Sequence, residues 1–161
     1  MEGKNRQCSD TATENIEIFC DGAFDYNHSI GGWGVVIKNG CNIKRIAGYK
    51  KCEDSTQAEI IALVKALLHL TVESAMVSLH TDSKIIRLAI CNSFLNKWKK
   101  SGRIRSYYEM MELLQILIVN SKNRIRVKKP SKRQRQYFRQ AHRLARRGMR
   151  DGLRRCFFTS P

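Results

Sequence analysis

The sequence predicts an α/β fold: a mixed five-stranded sheet with helices on its faces, its first three strands antiparallel and its fourth and fifth parallel to the first. Three observations lead there. Short apolar runs of period two, separated by glycine and asparagine turn signals, fill residues 16–49. The apolar period then lengthens to that of a helix from Thr56 onward. Finally, a helix, a short strand and another helix follow in that order, which makes a crossover unit and sets the fourth strand parallel to the first.

The elements follow in order. "IEIFC" (16–20) alternates and runs into Asp21-Gly22, read as a strand that ends in a turn. "GWGVVIKNG" is bracketed by glycines and by Asn39-Gly40, a strong hairpin dipeptide, and "NIKRIAGY" returns as a third strand. From Thr56, residues Ala58, Ile61, Ala62, Val64, Ala66, Leu67, Leu68 and Leu70 form the broad buried face of a helix that Asp54 or Ser55 can cap. "AMVSLHT" (75–81) is the fourth strand, and Ser83 opens a helix reaching about Asn92. "NSFLNKWKKSGRIR" (92–105) suggests a short helix and a basic loop, exposed as an appendage. "YYEMMELLQILIVN" reads as a helix, "RIRVKK" as a fifth strand that Pro130 terminates, and "SKRQRQYFRQAHRLARRGMR" as a cationic last helix. Residues 1–14 read as a flexible tail, 15–150 as one domain and 151–161 as a C-terminal tail.

The formal charge of +16 is an excess that calls for a polyanionic partner, nucleic acid first. Docking on an anionic membrane would need an amphipathic apolar face, a lipidation signal or a span of about 20 apolar residues, and the sequence has none of them. The polar N-terminus has no apolar core of a secretory signal, so the expected location is inside the cell, in cytoplasm or nucleus. Six cysteines stand without C-x-x-C or Cys/His spacing, which gives no zinc site and, in that compartment, free thiols.

Asp21 follows the first strand, Asp82 the fourth, and Glu59 sits in the first turn of the long helix. With strands one and four parallel neighbours, Asp21 and Asp82 emerge side by side at their carboxyl edge, where open α/β sheets place ligands, and the helix can aim Glu59 at the same point. Singly, these acids suit a turn, a helix cap and a helix dipole. Together, three converging carboxylates raise one another's pKa unless a cation sits among them, and all-oxygen ligation suits Mg²⁺ or Mn²⁺. Two such ions clamp a phosphodiester for attack by water.

At these residues the sequence resembles the type 1 ribonuclease H family, including retroviral ribonuclease H domains, from about residue 15 to 150. "FCDGAF" with "GGWGVVI" is similar to the family's first strand, Asp-Gly pair and glycine-rich second strand; "STQAEIIALVKAL" to its Glu-bearing helix; "LHTDSKII" to its Thr-Asp-Ser strand end. The resemblance implies a ribonuclease H-like fold and cleavage of the RNA strand of RNA–DNA hybrids with two Mg²⁺ or Mn²⁺ ions. It implies Asp21, Glu59 and Asp82 as catalytic metal ligands, and contact with the hybrid by Gly22, Asn27, Ser55, Thr56, Gln57 and Ser83. Family members often have Asn where Ser55 and Thr56 stand. "FLNKWKKSGRIR" resembles a basic protrusion that grips the DNA strand, with Lys97, Trp98, Lys99 and Lys100 near phosphates.

The pattern departs from the family in two places. Where its final helix carries a fourth acid, this chain reads "AHRLAR", with His142 in the acid's place as a further catalytic and metal-binding candidate. The loop before it reads "KKPSKRQ", without the family's Gly-His. From Lys122 to Arg155 the chain holds 15 Lys and Arg against one acid, Asp151, a like-charge density that implies a phosphate backbone as counter-charge. Beside the metal-dependent ribonuclease stand a non-catalytic binder of hybrid or double-stranded RNA with a degenerate site, and a structure-selective DNA nuclease such as a junction resolvase. The sequence is silent on oligomeric state.

Overall fold

In the computed structural model, which describes residues 14–91 and 105–158, five strands form one sheet. They are β1 (Asn15–Asp25), β2 (Ile30–Asn39), β3 (Asn42–Lys51), β4 (Met76–His80) and β5 (Arg124–Lys128), in spatial order β3-β2-β1-β4-β5. β1–β2 and β2–β3 pair antiparallel; β1–β4 and β4–β5 pair parallel. The helices are α1 (Ser55–Leu68), α2 (Lys84–Cys91), α3 (Arg105–Val119) and α4 (Arg135–Phe158), with a 3-10 turn at Lys132–Gln134. The mixed sheet and its helices are those the sequence predicts; the appendage at 92–104 lies outside the described residues.

Alternation along β1 divides the core in two. Ile16, Ile18 and Cys20 join the larger cluster with α1, α2 and α3, containing Leu63, Leu79, Ile86, Met111 and Leu114. Phe19 points to the opposite face and packs with Val36 and Ala141 under α4, flanked by Tyr137, Phe138 and Leu144.

Three boundaries differ from the sequence reading. Asp21-Gly22 is no turn: β1 runs on to Asp25, with Asp21 paired to Gly34 and Gly22 to Trp33, and the chain turns at residues 26–29. Glycines at 31, 32 and 34 on the facing strand admit the neighbouring helices, so the ladder continues past the Asp-Gly signal. The second hairpin turns at Gly40-Cys41 rather than Asn39-Gly40, because Asn39 pairs with Asn42; Gly40 has φ +56° and Cys41 does not share the positive φ, the type II′ pattern with glycine first. α4 runs through Phe158, past position 150, because Gly152 lets the helix lie against Tyr49 and Ile30.

Asp54 caps α1: its side chain accepts from the backbone N–H of Gln57 at 2.9 Å, while Gln57 Oε1 accepts from the N–H of Glu53 at 2.6 Å. Glu59 lies just beyond the first turn, which contains no acid.

Candidate active site

The last parallel pair between β1 and β4 is Phe19 with His80. Asp21 and Asp82 each stand two residues beyond it, at one level of the carboxyl edge. Phe19 and Asp21 share a face, so Asp21 points to the α4 side, while Gly22 turns to α1.

Glycines set the approach of both helices. A Cβ at Gly22 would lie 2.5 Å from the Glu59 backbone nitrogen and 2.6 Å from the Ala58 carbonyl carbon, so α1 touches β1 where Glu59 leaves the helix. On the other face, a Cβ at Gly34 would overlap Ala141 O and Ala145 N. Since Gly34 is the partner of Asp21, that contact brings His142, next to Ala141, over the carboxylate. The His142 Nδ1 to Asp21 Oδ2 distance is 2.6 Å, so the imidazole N–H donates to the carboxylate. Half of the His142 side chain remains exposed, against 7 % for Asp21.

The electrostatics are those of buried acids with other acids nearby. Burial pushes the Asp21 carboxyl up to about 6, with Asp82 adding to the rise and the hydrogen bond from His142 opposing it. Burial pushes Glu59 up to about 7, with Asp82, Asp21 and Asp54 adding and a hydrogen bond from Ser83 opposing. Asp82 itself is exposed. Asp21, Glu59 and Asp82 therefore lie within electrostatic reach of one another, and their oxygens are the donors that hard divalent ions prefer. Among the described residues no three His, Cys, Asp or Glu side chains already stand close enough to hold one ion as placed. The formed contact is the His142–Asp21 pair, and a cation would have to draw the other two acids in.

Of the remaining residues named from sequence, Gly22 backs the site, Ser83 bonds Glu59, and Ser55, Thr56 and Gln57 form the first turn of α1. Asn27 is exposed in the turn after β1. Lys97, Trp98, Lys99 and Lys100 lie outside the described residues.

A supporting layer escaped the sequence reading. His80, 2 % exposed, stacks on Phe19 with ring centroids 4.7 Å apart and planes 9° apart. Its Nε2 is 3.3 Å from Gln134 Nε2 and 3.8 Å from Glu17 Oε1, Gln134 also donates to Glu17, and its Nδ1 is buried without a hydrogen-bond partner. Burial pulls its pKa below the ordinary value, against the pull of Glu17. Arg87 Nη1 donates to Thr81 O at 2.9 Å, and Thr81 Oγ1 accepts from Ser83 N at 3.2 Å, fixing the loop that carries Asp82. One signal was available: Glu17, Phe19 and Asp21 recur at period two, on a single strand face.

Known proteins resemble the chain at both levels. It matches the family model for RNase H over residues 13–147. It is 35 % identical over 108 residues to the ribonuclease H of Bartonella bacilliformis, a match spanning 65 % of this chain and 68 % of that protein. It is 33 % identical over 90 residues to the ribonuclease H of Aromatoleum aromaticum, spanning 56 % of this chain and 58 % of that one. The chain thus spans about three fifths of the length of the curated relatives it matches. The structure of LC11-RNase H1, isolated from compost, superposes with TM-score 0.67 at 18 % identity, covering 86 % of this chain and 98 % of that one. The same protein in complex with an RNA/DNA hybrid superposes with TM-score 0.61 at 18 % identity, covering 86 % and 99 %.

Proposed function

Because the chain belongs to the ribonuclease H family, we propose that it is a divalent-metal-dependent endoribonuclease that hydrolyses the RNA strand of RNA–DNA hybrids. The observation that carries this reading is the burial of Asp21 beside His142, within electrostatic reach of Glu59 and Asp82, at the carboxyl edge of two parallel strands. A chain with a charge of +16 attracts a polyanion. The residues that would hold two Mg²⁺ or Mn²⁺ ions are Asp21, Glu59, Asp82 and His142. Bound there, divalent ions supply positive charge for the scissile phosphate and acidify the attacking water.

The chain's own residues do the rest. Asp21 is the fixed point, held by burial and by the His142 N–H. Ser83 orients the Glu59 carboxyl, and the Thr81–Arg87 contact holds the Asp82 loop. Gly22 leaves no side chain between β1 and α1, so the α1 backbone seats Glu59 close to Asp21. Asn27, Ser55, Thr56 and Gln57 would contact the hybrid, and Lys97, Trp98, Lys99 and Lys100 would grip its DNA strand.

A second reading, a hybrid-binding protein without catalysis, is favoured by one specific observation: the place of a fourth acid is taken by a histidine that already donates to Asp21. One assay separates the two. Matched RNA–DNA hybrid, double-stranded RNA and DNA junction substrates are incubated with Mg²⁺ and then with Mn²⁺. The ribonuclease cuts the RNA of the hybrid alone, and Asp82→Asn abolishes the cut while leaving hybrid binding nearly intact. Tight binding with no cleavage in either metal would establish the second reading, and cleavage of the junction alone would make the chain a DNA nuclease.

A further inference from the structure

Beyond the acids, α4 continues for more than three turns, and its far half borders a groove against β3. Arg45, Tyr49, Arg147, Asp151, Arg154 and Arg155 line it. The groove owes its shape to close backbone packing: a Cβ on Gly148 would overlap the carbonyl oxygen of Gly48, so the helix is sunk onto the strand and the flanking arginines rise on both sides. Four lining arginines face one carboxylate. Asp151 reaches Arg147 Nε at 3.8 Å and Arg154 Nη1 at 3.9 Å, long pairs between side chains that are 47 % to 75 % exposed, which stabilise little and leave net positive charge.

We propose that this groove binds the phosphate backbone of a nucleic-acid strand, as a tract separate from the catalytic acids that extends the bound length of the substrate. The ligand class rests on the nucleic-acid reading above. Three observations support the tract itself. Arg147, Arg150 and Arg154 recur at i, i+3 and i+7, so they stand in a row on one helix face, and Arg150 continues the lining beside Arg147 and Arg154. The row starts less than two turns beyond His142, on the same helix, so it is continuous with the site. Planar guanidinium groups present paired donors that match phosphate oxygens. From His142 to Arg154 the helix rises about 18 Å, which corresponds to roughly five base pairs of duplex.

The test is the salt dependence of binding to fluorescent RNA–DNA hybrids in EDTA, where cleavage plays no part. Wild type is compared with the triple variant Arg147→Gln, Arg154→Gln, Arg155→Gln, and with the corresponding triple Lys variant, which keeps the charge. On a hybrid of about 18 base pairs the Gln variant loses about 2 to 3 from the slope of log K against log salt, while the Lys variant keeps it. An unchanged slope in the Gln variant on that hybrid overturns the proposal. So does a loss in the Lys variant as large as in the Gln variant, or a groove-dependent slope for polyglutamate but not for hybrid, which would make this a protein-docking surface. Should wild type bind hybrid but cleave nothing, the ribonuclease reading fails while the slope still decides the groove.

Discussion

Asp21 and Glu59 stand at about 6 and about 7, so near neutral pH each still holds part of a proton that an exposed carboxyl releases two units lower. The sign of the linkage follows. The folded state retains the proton while the unfolded chain loses it, so the contribution to stability is full below the ordinary carboxyl range and is lost as pH rises through 6 and 7. Asp21→Asn removes that loss. In the metal-free protein at pH 8 it should raise stability by about 1–2 kcal/mol in urea titrations, an advantage that shrinks to nothing by pH 4 while hybrid cleavage is abolished. A variant less stable than wild type at pH 8 would show that the His142 bond outweighs the cost of burying the charge. At the same site, His142→Asp restores a hard oxygen and should shift metal preference from Mn²⁺ toward Mg²⁺ in cleavage rate, whereas His142→Ala should slow cleavage in both.

Among the elements, glycine contacts decide where α1 and α4 lie, and they explain what the sequence concealed. Period two and period 3.6 gave the strands and α1 their identities, because half-buried strands and helices must sort apolar from polar residues by face. The extension of β1 past Asp21 was not legible, since Asp-Gly has the same composition whether it turns the chain or lies beneath a helix. Nor was the continuation of α4 through Gly152, where a residue that ordinarily stops helices instead fits against the Tyr49 ring. Space and dihedral predict unequal costs at two positions. Gly34→Val drives a branched side chain into the α4 backbone and should cost at least about 3 kcal/mol, displacing His142. Gly40→Ala meets open space and only a left-handed φ, and should cost about 1 kcal/mol. Chemical denaturation of both variants checks the contrast.

For the molecule as a whole, the three acids were legible because each lies near the point where a strand or helix meets the crossover, Asp21 two residues past the last β1–β4 pair, Asp82 just past β4 and Glu59 just past the first turn of α1, and the topology joins those points. The layer beneath them was not: Glu17, His80 and Gln134 meet only when β1, β4 and the 3-10 turn have assembled, and no spacing encodes that. Charge acts at this scale too. With the acids brought together and the basic residues distributed over β5 and α4, divalent ions and phosphate should stabilise the fold through different groups. Mn²⁺ should therefore raise the melting temperature more at pH 8 than at pH 5.5 in wild type, and by much less in Asp21→Asn; an equal rise in both proteins would place the ion elsewhere.

The His142–Asp21 bond joins residues 121 positions apart, and that separation has a consequence in time. Hairpins such as β1–β2–β3 close within microseconds, whereas a contact spanning most of the chain must wait for everything between. During synthesis at about 5–20 residues per second, Asp21 precedes its histidine by roughly 6–24 s. For the last 60 residues of that interval, once Asp82 has been made, the nascent chain has its acids but not the helix that carries His142. In refolding experiments on a Trp98→Phe background, fluorescence of Trp33 in the early sheet should recover before hybrid cleavage does.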